Sequence, residues 1–277
     1  MATGTLSGKV ALITGAGSTI GMGRVMALAL GAAGARVAMM DVDAASLEAS
    51  AGDVREIAGD DAVLPIVGDI SSWDDAQRAV SETIEGLGGL HVLINHAGIN
   101  ARYAGLPETE HPPFWELPPA VWSRVIDVNV NGPFLMARAA VGHMVAQGWG
   151  RVIGVTTNLD TMIRDIPYGP SKSAHEALVA SMAPALEGTG VTANALLPGG
   201  GTNTNFNQRW DRDRSALVQP EVMGPPAVWL ASDAADGVNG MRVIAMHWDE
   251  RRSGEENLER AAAPAAWPQL GRRPPAA

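Results

Sequence analysis

Short apolar runs punctuate this chain at 10–13, 36–41, 62–67, 90–94, 152–155, 191–197 and 243–246. They are brief and almost unbroken by polar residues, which is how strands buried on both faces of a sheet read. Between them, the stretches 24–33, 44–51, 73–85, 119–145 and 170–186 carry alanine, leucine, valine and methionine at helical spacing, with an interruption inside the fourth. Strands alternating with helices imply right-handed crossovers, hence a parallel sheet with helices on both faces. The pattern therefore predicts an α/β fold, a doubly wound parallel sheet of about seven strands within one domain spanning 1–249.

Two stretches break this rhythm. Residues 101–118 are proline-rich and hold Tyr103, Phe114 and Trp115, while 199–219 opens on three glycines and carries Phe206 and Trp210. Both follow strand C-termini, where ligands sit in open α/β sheets, and loops of this length usually serve a site or move. They are expected to form the walls or lid of a substrate pocket, and their aromatics point to an apolar or ring-containing substrate. From about 250 the chain turns charged and then rich in alanine, proline and arginine, with Pro264, Pro268, Pro274 and Pro275 forbidding one continuous helix. Residues 250–277 are expected to be a flexible end or a subunit-contacting arm.

Composition narrows the function. With 277 residues and 46% hydrophobic content the chain has ample material for one large core. Its net charge of −10 argues against nucleic acid or an anionic membrane as partner and favours a small ligand. The absence of cysteine removes disulfides, thiolate nucleophiles and sulfur-bound metals together. No secretory signal is visible at the start and no apolar run approaches membrane-spanning length, so the expected location is cytoplasmic. The six histidines are scattered without a supporting carboxylate pattern, and no metal is expected.

The candidate chemistry lies in two places. Thr14-Gly15-Ala16-Gly17-Ser18-Thr19-Ile20-Gly21-Met22-Gly23 follows the first strand and precedes a helix. Glycines there admit positive φ and close backbone approach, and the helix N-terminus favours a dinucleotide pyrophosphate. Asp41 closes the second strand, suitably placed for adenosine ribose hydroxyls and repulsive to a 2′-phosphate, so NAD is expected over NADP; Asp43 is a rival for that role. Downstream, Tyr168 precedes Lys172 by one helical turn. Bringing a tyrosine from a pKa of about 10 to ~7 requires roughly 4 kcal/mol, which a lysine charge about 4 Å away supplies at an effective dielectric of ~20.

Taken together, the glycine turn, Asn95-His96-Ala97-Gly98, Asp127-Val128-Asn129, Tyr168-x-x-x-Lys172 and Pro198-Gly199 resemble the short-chain dehydrogenase/reductases, in that family's order and over about residues 7–247. The resemblance implies a Rossmann-type oxidoreductase, an alcohol dehydrogenase or ketoreductase interconverting a small-molecule secondary alcohol and ketone, usually as a homo-oligomer (dimer or tetramer). It implies Tyr168 as acid/base, Lys172 as its electrostatic partner and a nicotinamide-ribose ligand, Asn129 as support for a water-linked proton relay, and Thr157 as the substrate-polarising hydroxyl. The path from Thr157 to Tyr168 is shorter than the common pattern, which leaves Thr156 and Asn158 as substitutes. For the cofactor it implies Gly15, Ser18, Thr19, Ile20 and Gly21 at the phosphates, Asp41 at the ribose, and Asp69 with Ile70 at the adenine. It further implies Asn95, Ala97, Gly98, Pro198 and Gly199 along the nicotinamide half, with Thr204 or Thr202 on its amide. The loop between Gly15 and Gly21 is longer than the common form, and His96 stands where an asparagine is usual. The alternatives are an NADP-dependent ketoreductase and a nucleotide-sensing relative without catalysis.

Overall fold

The computed structural model describes residues 4–107, 109–207 and 213–268. Eight strands form one sheet in the order β3-β2-β1-β4-β5-β6-β7-β8. The strands are β1 (Val10–Thr14), β2 (Arg36–Asp41), β3 (Val63–Val67), β4 (Val92–Asn95), β5 (Gly150–Val155), β6 (Val191–Leu197), β7 (Met241–Ile244) and β8 (Ala262–Pro264). The first seven are parallel, and β8 runs antiparallel against β7.

Side-chain alternation along the strands splits the core into two layers. Ala11, Ile13, Val37 and Met39 face helices α1 (Met22–Ala32), α2 (Ala44–Ala58), α8 (Gly224–Leu230) and α9 (Gly254–Ala261). Val10, Leu12, Ala38 and Met40 face α3 (Trp73–Leu87), α5 (Gly132–Ala146) and α7 (Tyr168–Ala185). The remaining helices are α4 (Pro119–Ile126) and α6 (Leu159–Arg164). The interruption expected within 119–145 is a π-helical turn, Asp127–Asn131, between α4 and α5. No helix among the described residues is long and apolar enough to cross a membrane.

The segment after 249 differs from the flexible end or arm expected there. A reciprocal cap between Ser253 and Glu256 starts α9, and the chain then adds β8 to the sheet edge. Proline does stop the helix, but an edge strand tolerates Pro264, because the missing N–H there deprives no ladder partner. The sheet thus runs past the expected domain boundary and is mixed rather than wholly parallel.

Strand order reverses between β1 and β4. A crevice opens there beyond the strand C-termini, as expected for this topology, and it holds the cavity described next.

Candidate active site

A cavity of about 930 Å³ spans this crevice, walled by the ends of β1, β2, β4, β5 and β6 and the loops that follow them. Its floor is the glycine turn. Gly15 has φ +70°, and a Cβ there would lie 2.7 Å from the Ala97 Cα; a Cβ on Gly23 would lie 2.5 Å from the Gly15 carbonyl oxygen. Only bare backbone fits, so α1 packs tightly under the loop. The backbone N–H groups of Ser18, Thr19 and Ile20 have no acceptor among the described residues. Of these three residues Ser18 lines the cavity, and its N–H beside the N-terminus of α1 is a donor for an anion there.

His96 replaces the usual asparagine without loosening this floor. Its Nδ1 lies 3.2 Å from the Thr14 carbonyl and 3.1 Å from that of Gly15. Carbonyls only accept, so Nδ1 carries the proton. Burial, reinforced by the Lys172 charge, lowers its pKa to about 4, and the ring is a neutral brace at pH 7.

At the far end, Asp41 accepts from the Gly17 N–H at 2.8 Å and lines the cavity. Its rival Asp43 is occupied as the N-cap of α2, accepting from Ala45 and Ser46. Asp69 is held by Ser71 and by Arg124 at 2.8 Å, and Ile70 packs beside it over Gly132. Asp41, Asp43, Asp69, Ile70 and Arg124 all line the cavity.

Tyr168 is the first residue of α7, and Lys172 follows one turn later with Nζ 5.8 Å from the phenol ring centroid. Lys172 donates to the Val155 carbonyl at 2.9 Å, and burial brings its pKa down to about 8, which leaves it an ammonium at neutral pH. Tyr168 departs from the expectation of a lowered pKa. Burial, and then the nearby Asp165 carboxylate, push it above its ordinary value. The protein groups alone hold it protonated, so a further positive charge in the crevice is required to favour phenolate at neutral pH. Asp165 itself is raised by burial and lines the cavity. Replacing it by asparagine removes a negative charge beside the phenol and lowers the Tyr168 pKa. The pH–rate profile for alcohol oxidation in Asp165→Asn should therefore shift its rising limb to lower pH, whereas an unmoved or upward-shifted limb would contradict this coupling.

The three candidates after β5 separate by what their side chains already do. Thr156 donates to Glu176 at 3.1 Å, and Asn158 caps α6 by accepting from the Thr161 N–H at 2.8 Å. The Thr157 hydroxyl makes no hydrogen bond among the described residues, and Thr157 lines the cavity. Asn129 is fully buried in the π turn, where its amide accepts from the Ile99 N–H, donates to the Ile99 carbonyl, both at 2.8 Å, and donates to Ser171. It clamps the segment after β4 that carries Gly98 beside Lys172. Asn95 donates to the Pro133 carbonyl, tying β4 to α5. Thr19, Ile20, Asn95, Asn129 and Gly199 do not line the cavity, unlike Gly15, Ser18, Gly21, Ala97, Gly98, Pro198, Thr202 and Thr204. The Thr202 hydroxyl donates to the Gly200 carbonyl, which leaves Thr204 as the hydroxyl of the two without a hydrogen bond among the described residues.

The two long loops meet over the crevice. The Tyr103 hydroxyl and Arg102 both donate to the Asn205 carbonyl at 3.2 Å, and Asn205 reaches the Ser18 hydroxyl. Phe206 stands between Tyr103 and Tyr168, at centroid distances of 6.1 and 5.0 Å. Phe114 and Trp115 instead are 66% and 72% exposed and do not reach the cavity; Trp210 lies outside the described residues. The cavity lining also includes the polar side chains of Asn158, Asp160, Thr161 and Asp165. An apolar lining throughout is thus not what is built: aromatic and hydrogen-bonding side chains share the cavity wall.

Sequence reading missed Asp165 and the buried pair Glu176–Arg242, joined at 3.0 Å. The pair leaves a signal, since a carboxylate one turn after Lys172 and an arginine inside an apolar strand both demand partners. Asp165 leaves none.

A short chain dehydrogenase family model matches residues 9–215. The L-rhamnose-1-dehydrogenase of Scheffersomyces stipitis is 30% identical over 87% of this chain and 96% of its own length. The D-threitol dehydrogenase of Mycolicibacterium smegmatis is 30% identical over 86% and 92%. A crystal structure of a short-chain type dehydrogenase/reductase from Mycobacterium marinum superimposes with TM-score 0.76 at 29% identity, covering 86% of this chain and 94% of that one. The matched span takes in the glycine cradle, the Tyr168–Lys172 turn and the crevice between them, and the chain belongs to the short-chain dehydrogenase family.

Proposed function

We propose that this protein is an NAD-dependent dehydrogenase that interconverts a secondary hydroxyl and a ketone on a polyhydroxylated small molecule such as a sugar or polyol. The observation that carries the reaction is the meeting of Tyr168 and Lys172 with a glycine cradle in one crevice. The same convergence disfavours a purely nucleotide-sensing role. For the substrate, the polar lining residues offer donors and acceptors for several hydroxyls, and Tyr103 and Phe206 offer an aromatic face for a ring. Relatives named for L-rhamnose and D-threitol support that class.

The residues present fit a nicotinamide dinucleotide. The turn from Gly15 to Gly21 would hold its phosphates, Asp41 its adenosine ribose, and Asp69 with Ile70 its adenine. Ala97, Gly98 and Lys172 would hold the second ribose, and Pro198 with Thr202 or Thr204 the nicotinamide end. When bound, the nicotinamide supplies the hydride acceptor of oxidation and the donor of reduction. In oxidation, Tyr168 takes the proton of the substrate hydroxyl, Lys172 stabilises the phenolate, and Thr157 donates to the substrate oxygen as it becomes a carbonyl. In reduction Tyr168 returns the proton.

Asp41 and Asp43 place two carboxylates at the adenosine end of the cavity, and this supports NAD over NADP. Rates with each cofactor across a panel of sugars, polyols and simple alcohols test the whole reading. Activity on polyols with NAD is the expected result; activity confined to NADP, or to apolar alcohols, would contradict it. In the same assay Asp41→Ala should raise the NADP-to-NAD ratio of kcat/KM by at least about tenfold, the effect of removing roughly 1.4 kcal/mol of discrimination.

A further inference from the structure

Three consecutive residues enter the cavity from β5, and each is held by a different buried charged side chain. Lys172 donates to the Val155 carbonyl at 2.9 Å, Glu176 accepts from the Thr156 hydroxyl at 3.1 Å, and Arg242 donates to the Thr157 carbonyl at 3.3 Å. Glu176 and Arg242 pair with each other at side-chain exposures of 0% and 7%, so neither is available to solvent or substrate. The pair is also the attachment point of the segment beyond β8. The Ala266 N–H donates to Glu176 at 3.2 Å, and the Trp267 ring lies 5.9 Å from the Arg242 guanidinium. Ala266 and Trp267 adopt φ of +57° and +51°, a backbone region that side-chain-bearing residues rarely enter. Such a conformation persists only where its surroundings over-determine it. Here it turns a backbone N–H inward onto a carboxylate.

The Glu176 carboxylate thereby has all its visible acceptor work assigned: Oε1 takes Arg242 and Ala266, and Oε2 takes Thr156. We propose that Glu176 and Arg242, closed from outside by the 265–267 hook, are positioning residues that fix the Thr156–Thr157 backbone so that the free Thr157 hydroxyl points at the reacting oxygen. This rests on the assignment of Thr157 made above. A hydroxyl polarises a substrate only when its Cα is held, because a small misplacement of a catalytic group is costly in rate. Thr157 itself has no side-chain anchor, so its direction is set through its carbonyl and its neighbours.

A double-substitution cycle on the full-length chain tests this, using Glu176→Gln, Thr157→Val and the two together. Glutamine keeps the shape and an acceptor but removes the charge that organises Arg242. kcat and KM are measured with NAD and the best polyol of the panel, and NAD affinity by fluorescence titration. Glu176→Gln is expected to lower kcat about tenfold with NAD affinity changed less than about twofold, and to lower it less than about twofold where Thr157 is already valine. Equal factors in both backgrounds would overturn the positioning role alone. Undiminished activity in Thr157→Val would overturn the hydroxyl assignment and the positioning role with it. If Glu176→Gln does not fold, Trp267→Leu enters the same cycle with the same expected non-additivity, and equal factors there overturn the proposal equally.

Discussion

Tyr168→Phe is expected to abolish turnover, lowering kcat by at least about 10³-fold, within the range general acid–base groups contribute, while NAD binds within a few-fold of the parent affinity. The variant is close to a pure deletion of one proton site. Phenylalanine keeps the ring between Phe206 and Lys172, the Tyr168 hydroxyl is not among the hydrogen bonds of the described residues, and Lys172 keeps its bond to the Val155 carbonyl. The neighbouring Asp165 lies nearer its protonated form than an exposed aspartate because burial raises it, so it is a weak substitute at low pH and a mispositioned one at neutral pH. Steady-state oxidation together with calorimetric NAD binding checks both halves. Loss of less than tenfold would remove Tyr168 from proton transfer.

Gly23→Ala should weaken NAD binding by at least about 100-fold, near 2.7 kcal/mol. Helix propensity argues the other way, since replacing glycine by alanine in a helix gains about 0.5–1 kcal/mol. The local geometry decides. The new methyl would sit 2.5 Å from the Gly15 carbonyl oxygen and 2.9 Å from His96 Nδ1. The first is backbone and the second is pinned by two carbonyls, so neither gives way as a flexible side chain would. The helix must retreat from the loop, and its N-terminal N–H groups leave the place where a pyrophosphate would meet them. Calorimetry with NAD measures the loss; an affinity within threefold of the parent would show that the floor is softer than this packing implies.

Much of this arrangement was legible because it is local. The apolar runs name strands β1 to β7 to within a residue or two, since burial on both faces leaves a continuous signature, and the glycine turn, Tyr168 and Lys172 fall on the crevice because each follows a strand end or opens a helix. What was not legible depends on contacts between distant parts. Which of Thr156, Thr157 and Asn158 keeps its polar side chain uncommitted is decided by Glu176 and by the first turn of α6, neither of which the spacing to Tyr168 reveals. The raised pKa of Tyr168 comes from enclosure and from Asp165, both tertiary. Phe114 and Trp115 share a loop with Tyr103 yet point away from the cavity, because composition does not say which side of a loop faces inward. The strand β8 escaped because three residues of alanine and proline carry no strand signal of their own; their pairing is supplied by the edge of β7.

The hook at 265–267 also gives the molecule an order of assembly. A chain made from its N-terminus would bury Glu176 against β5 with only the Thr156 hydroxyl for company, since Arg242 and the Ala266 N–H both emerge later. A desolvated carboxylate with one neutral donor is costly, so the substrate side of the crevice stays unfinished while the glycine turn from Gly15 to Gly21 is already made; Lys172, Pro198 and Thr202 or Thr204 follow it in the chain. Nascent chains would thus make the phosphate-facing turn well before the Thr156–Thr157 backbone is fixed.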